Sequence, residues 1–287
     1  MVVRRPTAWL SVLACVQVVD AVHRNKCERA DVASPRTIGC SIKEQQMEAW
    51  RTFHRKLADE VAAYSNPTGA QRLWLVGDSI TEAWRGTAYG EPVMRTRGIA
   101  AMLNATLSAH WPEPLVCGIS ADETQHVLWR LRNGEVSPTM SADKALTAVL
   151  LIGTNNIGNA RHSTTETAAG VVAVAGEILQ RIAGRLFVNA ILPRGKSSLP
   201  RQKRSKHYAS MLQAIDETNS RINASLRPLS RSNPGRLQVV DCGSFFRNDR
   251  EKIAAGESEV IPGLMPDGVH PSARGHAVWA ACLERFL

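Results

Sequence analysis

The sequence predicts an α/β fold, a three-layer α/β/α sandwich around a five-stranded parallel sheet. Three observations carry that expectation. Five short apolar runs recur between residues 73 and 240, Gly, Pro, Ser or Asn ends most of them, and segments with helical spacing separate them. Strand and helix in strict alternation argue for a parallel sheet covered on both faces and joined by right-handed crossovers. A chain of 287 residues with 44% hydrophobic content is large enough to bury such a core.

Residues 1–22 form a candidate signal or targeting segment: Arg4 and Arg5 precede an apolar stretch at 8–19, and the small residue Ala21 follows. The stretch is shorter than the roughly 20 apolar residues that span a bilayer, and Gln17 and Asp20 interrupt its end. A secretory segment is expected, with the cytoplasm as the alternative should it be an uncleaved extension; an organelle leader is the other option. The sequons Asn104-Ala105-Thr106 and Asn223-Ala224-Ser225 are compatible with secretion. Residues 23–69 read as an extension with one helix, in which Met47, Trp50, Phe53 and Leu57 recur at three- and four-residue spacing until Asn66-Pro67-Thr68-Gly69 stops it. Residues 70–287 form the main domain.

The first strand, 73–76, runs into Gly77-Asp78-Ser79, and a helix-compatible segment continues through Trp84. This puts the Ser79 hydroxyl at the carboxyl end of a strand, the rim where open α/β sheets bind ligands, with its backbone N–H at a helix N-terminus facing developing negative charge. The competing reading of Ser79 is a helix cap. A connection over 86–113 with a helix near 99–110 leads to the second strand, 115–119, and a helix over 122–131. The third strand, 146–152, is apolar but for Thr147 and breaks at Gly153-Thr154-Asn155-Asn156 before a helix over 164–182. The fourth, 186–192, ends at Pro193-Arg194-Gly195, and a basic loop enters a helix over 206–226. The fifth, 237–240, is followed by irregular chain to Pro266 and a last helix over 272–286.

The formal charge of +9 would suggest nucleic acid or an anionic membrane only if the basic residues formed a coherent patch. They are spread along the chain, with one dense run at 201–207, and neither zinc-finger spacing nor an aromatic RNA-binding signature is present; no nucleic-acid partner is expected. Cys15, Cys27, Cys40, Cys117, Cys242 and Cys282 include no Cys-x-x-Cys pair, so structural zinc is not expected. Cys117, Cys242 and Cys282 fall in or beside apolar runs and are expected as small buried hydrophobes. Cys27 and Cys40 flank a short polar segment and can pair only in an oxidising compartment.

Chemistry concentrates near the C-terminus, where Pro266-Asp267-Gly268-Val269-His270-Pro271 precedes the last helix. An aspartate three residues ahead of a histidine, on a turn fixed by Gly and Pro, can set carboxylate and imidazole side by side. In a parallel sheet this loop reaches the same rim as Ser79, which brings nucleophile, base and base-orienting carboxylate together. A metal pair or a satisfied surface turn is the alternative for the two residues. The nucleophile elbow Gly-x-Ser-x-Gly is absent around Ser79, which disfavours the α/β-hydrolase fold.

Gly77-Asp78-Ser79, Gly153-Thr154-Asn155-Asn156 and Asp267-Gly268-Val269-His270 resemble the ordered blocks of the SGNH (GDSL-type) serine hydrolases, whose sheet is flavodoxin-like. Within that superfamily the string TQHVLWRLRNGE at 124–135, Leu151-Ile152-Gly153-Thr154-Asn155-Asn156, and Ile191-Leu192-Pro193-Arg194-Gly195 followed by Arg201-Gln202-Lys203 are similar to the catalytic subunits of intracellular platelet-activating factor acetylhydrolase. The resemblance covers residues 70–287. It implies Ser79 as nucleophile, His270 as base and Asp267 as its orienting partner, with the Ser79 N–H and the Asn155 amide in an oxyanion hole. One block departs from the pattern. Where the family has Gly-Asp, this chain reads Ile119-Ser120-Ala121-Asp122, so Ala121 stands in the glycine's place as oxyanion donor, its methyl facing the site, and a positive φ there would be strained.

The resemblance further implies a serine esterase acting on short-chain, above all acetyl, esters through an acyl-Ser79 intermediate, with no metal and no organic cofactor. Platelet-activating-factor-like phospholipids are the substrates it favours, in lipid metabolism; a glycan O-acetyl esterase or a lysophospholipase is the enzymatic alternative. Because the resembled subunits associate with one another and with a β-propeller partner, it also implies a homodimer and leaves a non-catalytic binding subunit as the alternative of another class.

Overall fold

The computed structural model describes residues 28–38, 42–158, 162–195 and 211–287. The expected targeting segment, the Cys27–Cys40 pairing and the basic run at 201–207 lie outside the described residues.

Strands β1 (Arg72–Gly77), β2 (Leu115–Gly118), β3 (Leu146–Leu151), β4 (Arg185–Asn189) and β5 (Leu237–Val240) form one parallel sheet in the order β2-β1-β3-β4-β5. Leu75 pairs with Val116 on one side and Val149 on the other, and all six residues of β3 are buried, as expected of a central strand covered on both faces. Alternate side chains along each strand feed two cores. Trp74, Val76, Ala148 and Leu150 point to one, which is closed by helices α4 (Thr124–Arg132), α5 (Thr164–Arg181) and α6 (Met211–Ser232) through residues such as Leu128, Val171, Ile178 and Ile215. Leu73, Leu75, Val149 and Leu151 point to the other, under α3 (Ile99–Ala105) and α7 (Ala273–Leu283), which contribute Ile99, Leu103, Trp279 and Leu283.

The strand order positions the site. From β1 the chain moves outward to β2, then crosses back to β3, so the connections leave β1 and β3 in opposite directions and open a crevice at their carboxyl ends. The segment carrying Ser79, α2 (Ser79–Glu82), follows β1, and Thr154-Asn155 follows β3. In the extension, α1 (Glu44–Ala62) buries Met47, Trp50, Phe53 and Leu57 as their spacing predicts, against Ile119 at the end of β2.

Three differences from expectation have physical causes. The helix expected over 99–110 breaks into Ile99–Ala105 and Leu107–His110 at Thr106, whose hydroxyl donates to the Met102 carbonyl at 2.6 Å and competes with the helix ladder. Short helices at Pro138–Ala142, Thr154–Gly158 and Arg250–Ala254 have too few residues to leave a periodic pattern. Cys242 and Cys282, expected as separate buried hydrophobes, are both buried but joined in a disulfide, Cα to Cα 5.9 Å, tying the chain after β5 to α7 across 40 residues of sequence. Cys117 is the buried free thiol expected of it, and burial pushes that thiol up to about 12.

Candidate active site

Ser79 is not the cap of its helix. Asp78 holds that place: its Oδ1 accepts the Ile80 N–H at 2.9 Å, which leaves the Ser79 hydroxyl available. The turn into α2 requires glycine before it, because a Cβ on Gly77 would lie 2.2 Å from the Leu151 carbonyl oxygen and 2.3 Å from Thr81 Oγ1. Asp78 is wholly buried and, among the described residues, its Oδ2 has no hydrogen-bond partner. Burial pushes its carboxyl up to about 7 against the pull of the Ile80 N–H; Asp122 adds to the rise, while Arg194 and Arg95 oppose it.

The Ser79 hydroxyl lies 2.9 Å from His270 Nε2, and His270 Nδ1 lies 2.7 Å from Asp267 Oδ2. The other carboxylate oxygen, Oδ1, accepts the N–H groups of Val269 at 2.9 Å and His270 at 2.7 Å, so the Asp-x-x-His spacing folds into a turn that both orients the carboxylate and fixes the imidazole. Burial works against charge on Asp267, but the hydrogen bonds from the His270 ring and from the two backbone N–H groups outweigh it and hold the carboxyl well below the ordinary range. An ionised Asp267 accepts a hydrogen bond from Nδ1–H, which keeps the ring proton on Nδ1 and leaves Nε2 as an acceptor toward Ser79, an arrangement that can draw the proton off the hydroxyl. Under α2, buried His276 reaches the Ile80 carbonyl with Nε2 at 3.1 Å, and burial pushes its imidazole down to about 4.

Beside Ser79 runs the loop 119–122. Ala121 has φ +62°, in the left-handed region that disfavours side chains with a Cβ. Its neighbours are pinned from several sides. The buried Glu82 accepts both the N–H and the hydroxyl of Ser120 on Oε2, at 2.7 and 2.6 Å, and the Gly90 N–H on Oε1 at 2.8 Å. The Asn155 amide donates to the Asp122 carbonyl at 2.9 Å, and Asn156 Oδ1 accepts the Thr124 N–H at 3.0 Å, locking the β3 turn to the start of α4. Among the described residues, neither the Ser79 N–H nor the Ala121 N–H has a protein acceptor. Arg194, buried beside Asp78 and Asp267, donates from Nη1 to the Thr154 carbonyl at 2.9 Å.

The structure thus brings Ser79, His270 and Asp267 into one chain of hydrogen bonds and sets Ala121 and Asn155 on the two turns at the same rim. Sequence reasoning missed Glu82 and Arg36 as supports of the loop. Glu82 left no distinguishing signal, standing among the polar Asp78, Ser79 and Thr81, and Arg36, far away in the extension, left none either. Among the described residues no three His, Cys, Asp or Glu side chains are grouped as metal ligands, and no helix is long and apolar enough to cross a membrane.

The model of the GDSL-like Lipase/Acylhydrolase family matches residues 75–278. Platelet-activating factor acetylhydrolase IB subunit alpha1 of Pongo abelii is 33% identical over 171 residues, 59% of this chain and 62% of the relative. The alpha2 subunit of Homo sapiens is 40% identical over 135 residues, 46% of this chain and 49% of the relative. The chain therefore spans less than two thirds of the length of either relative. A GDSL-like lipase from Bacteroides thetaiotaomicron shares the fold, with a TM-score of 0.57 at 19% identity over 81% of this chain and 95% of that one.

Proposed function

Because this chain belongs to the GDSL-like lipase/acylhydrolase family, we propose that it is a serine esterase that removes short acyl groups, acetyl above all, from carboxylic esters. One observation carries the proposal: Ser79 Oγ, His270 and Asp267 in line at 2.9 and 2.7 Å, beside two backbone N–H groups that no acceptor among the described residues takes. In this reading Ser79 Oγ attacks the ester carbonyl carbon as its proton passes to His270 Nε2. The resulting alkoxide sits on the Ser79 and Ala121 N–H groups and the second hydrogen of the Asn155 amide. Collapse expels the alcohol, protonated by His270, and leaves acyl-Ser79; water, deprotonated by His270, then releases the acid and restores the serine. Asp267 stays ionised throughout and holds the imidazole. A single oxyanion donor is worth about 3–4 kcal/mol, so the rigidity of the loop around Ala121 matters to rate.

The acyl preference rests on the relatives' name, acetylhydrolase; phospholipids like platelet-activating factor are the substrates proposed first, and acetylated glycans or lysophospholipids second. A panel of p-nitrophenyl esters graded by acyl length tests it: turnover is to be greatest with acetate and to fall with chain length. A fluorophosphonate probe is to label Ser79, and labelling that persists in Ser79→Ala would refute the nucleophile. A non-catalytic binding subunit has one observation in its favour, the alanine at 121 where the family resemblance implies glycine; absence of turnover on every ester of the panel would select it.

We further propose residues 70–287 as the hydrolase domain and passage through the secretory pathway. The Cys242–Cys282 disulfide supports the second point, since such bonds persist in oxidising compartments. Mass spectrometry of the native N-terminus tests it; Met1 or Val2 at the mature terminus would refute removal of a signal segment.

A further inference from the structure

Residues 28–38 lie outside the stretch matched by the family model, yet they run across the N-terminus of α4. The Ala30 carbonyl accepts the Thr124 hydroxyl at 2.7 Å, the Ser34 N–H donates to the Gln125 carbonyl at 3.2 Å, and Glu28 meets His126 Nε2 at 2.6 Å. This strap delivers Arg36, only 3% exposed, to the loop beside Ser79. There Nη2 donates to the Ala121 carbonyl, Nη1 donates to the Tyr89 hydroxyl at 3.1 Å, and Nε lies 3.1 Å from Asp122 Oδ1, an ion-pair distance outside hydrogen-bond alignment.

We infer that Arg36 is a positioning residue for the proposed ester hydrolysis, holding Ala121 in its left-handed conformation so that the Ala121 N–H stays aimed at the oxyanion. The inference rests on the reading of the site as an esterase. Its physical basis is how the chain on either side of Ala121 is held. Upstream, Glu82 holds the Ser120 N–H and hydroxyl, one peptide before the Ser120–Ala121 link. Downstream, the Ala121–Asp122 peptide is held by Arg36 on its carbonyl and by the Ile119 carbonyl on its N–H at 3.2 Å. An alanine at φ +62° is drawn toward negative φ, a rotation that swings its N–H away. Glycine feels no such pull. A chain with alanine at this position therefore needs an outside restraint, and the planar guanidinium, with donors spread over one fork, reaches the carbonyl and the neighbouring carboxylate together. Asp122 does not depend on Arg36 alone, because Trp50 Nε1 donates to it at 2.9 Å and Arg130 Nε lies 2.8 Å from it.

The test compares kcat and KM on p-nitrophenyl acetate for the full chain, Arg36→Lys, Ala121→Gly and the double variant, with thermal melts of each. Lysine keeps the positive charge near Asp122 but is one atom shorter and lacks the separate nitrogens with which Arg36 reaches the Ala121 carbonyl and the Tyr89 hydroxyl. Arg36→Lys is expected to lower kcat about tenfold with KM within about twofold, whereas in the Ala121→Gly background the same change is to cost less than about threefold. An unchanged kcat in Arg36→Lys, with the parent active, would overturn the inference and leave the esterase intact. Equal losses in both backgrounds would also overturn it, since Arg36 would then act other than through Ala121. A parent that hydrolyses no ester overturns the esterase reading, and this inference with it. Should Arg36→Lys fail to melt cooperatively, Tyr89→Phe removes one anchor of Arg36 and leaves the charges in place; a loss of kcat of about two- to threefold that vanishes in the Ala121→Gly background is expected, and no loss would overturn the inference.

Discussion

Replacing Asp267 by asparagine tests the orienting role proposed for its charge. Asp267 Oδ1 already accepts two backbone N–H groups, those of Val269 and His270. In Asp267→Asn the amide oxygen keeps those donors, because an NH2 group there would face N–H against N–H, and the amide nitrogen turns toward His270 Nδ1. Nδ1 must then accept, so the ring proton moves to Nε2, the atom 2.9 Å from Ser79 Oγ. The base is thereby blocked while the turn is preserved. The expected loss is about 10⁴-fold in kcat, the scale of removing the correct tautomer from such a triad, or about 5.5 kcal/mol of barrier. The assay is kcat on p-nitrophenyl acetate at about pH 7 to 8 with a thermal melt of each protein. The Asp267 side chain is 37% exposed, so solvent screening keeps its effect on stability small. The sign of that effect is fixed. A carboxyl held below its ordinary range adds stability above the unfolded value of about 3.9, and that stability is lost as pH falls through the folded value. The melting difference between parent and variant is therefore to be full near neutrality and to shrink in acid below about pH 4. A loss of kcat under about 100-fold in a folded Asp267→Asn protein would refute the assignment of the tautomer to Asp267.

Three further outcomes are expected. Asp78, with a carboxyl pushed up to about 7, binds its proton more tightly folded than unfolded, so it erodes stability as pH rises from about 4 to 7; Asp78→Asn is to flatten the melting temperature across that window, and an unchanged slope would refute the raised value. Cys242→Ser opens a link that closes 40 residues of chain and is to cost about 4 kcal/mol in the chain-entropy picture, a drop of about 7 °C in melting temperature; equal melts of parent and variant under non-reducing conditions would show that the bond does not form. Ala121→Gly removes a Cβ at φ +62° and is to raise stability by roughly 1 kcal/mol without lowering kcat, whereas a less stable glycine variant would place Ala121 at negative φ.

How much of this was legible in the sequence depends on how local the determining contacts are. The strands are legible because their signal is local: the inner strands β1, β3 and β4, covered on both faces, are mostly apolar runs within a few residues of their expected bounds, and even the edge strand β5, with Gln238 exposed, keeps Leu237 and Val240 buried. Asp267 and His270 are legible for the same reason: their relation is made within one turn of chain. The disulfide is not, since Cys242 and Cys282 become neighbours only when α7 packs beside the end of β5, and before that each looks like a small apolar residue. Arg36 is less legible still. Nothing in residues 28–38 signals a role at Ala121, 85 positions away, and the contact exists only because the strap crosses the start of α4.

Ser79 shows how a local neighbour removes one of two local readings, the helix cap. A serine between a strand and a helix satisfies two readings, a cap or a nucleophile, and composition does not separate them. What separates them is who takes the orphan helical N–H. Asp78 takes the one from Ile80, at the cost of burying a carboxylate with one oxygen unpartnered. A fold that only needed a helix cap would have no cause to bury an acid for it when a serine was already in place. The buried carboxylate, the hydroxyl left over and the imidazole 2.9 Å away belong to one arrangement, in which a destabilising cap is tolerated because it leaves the Ser79 hydroxyl to His270.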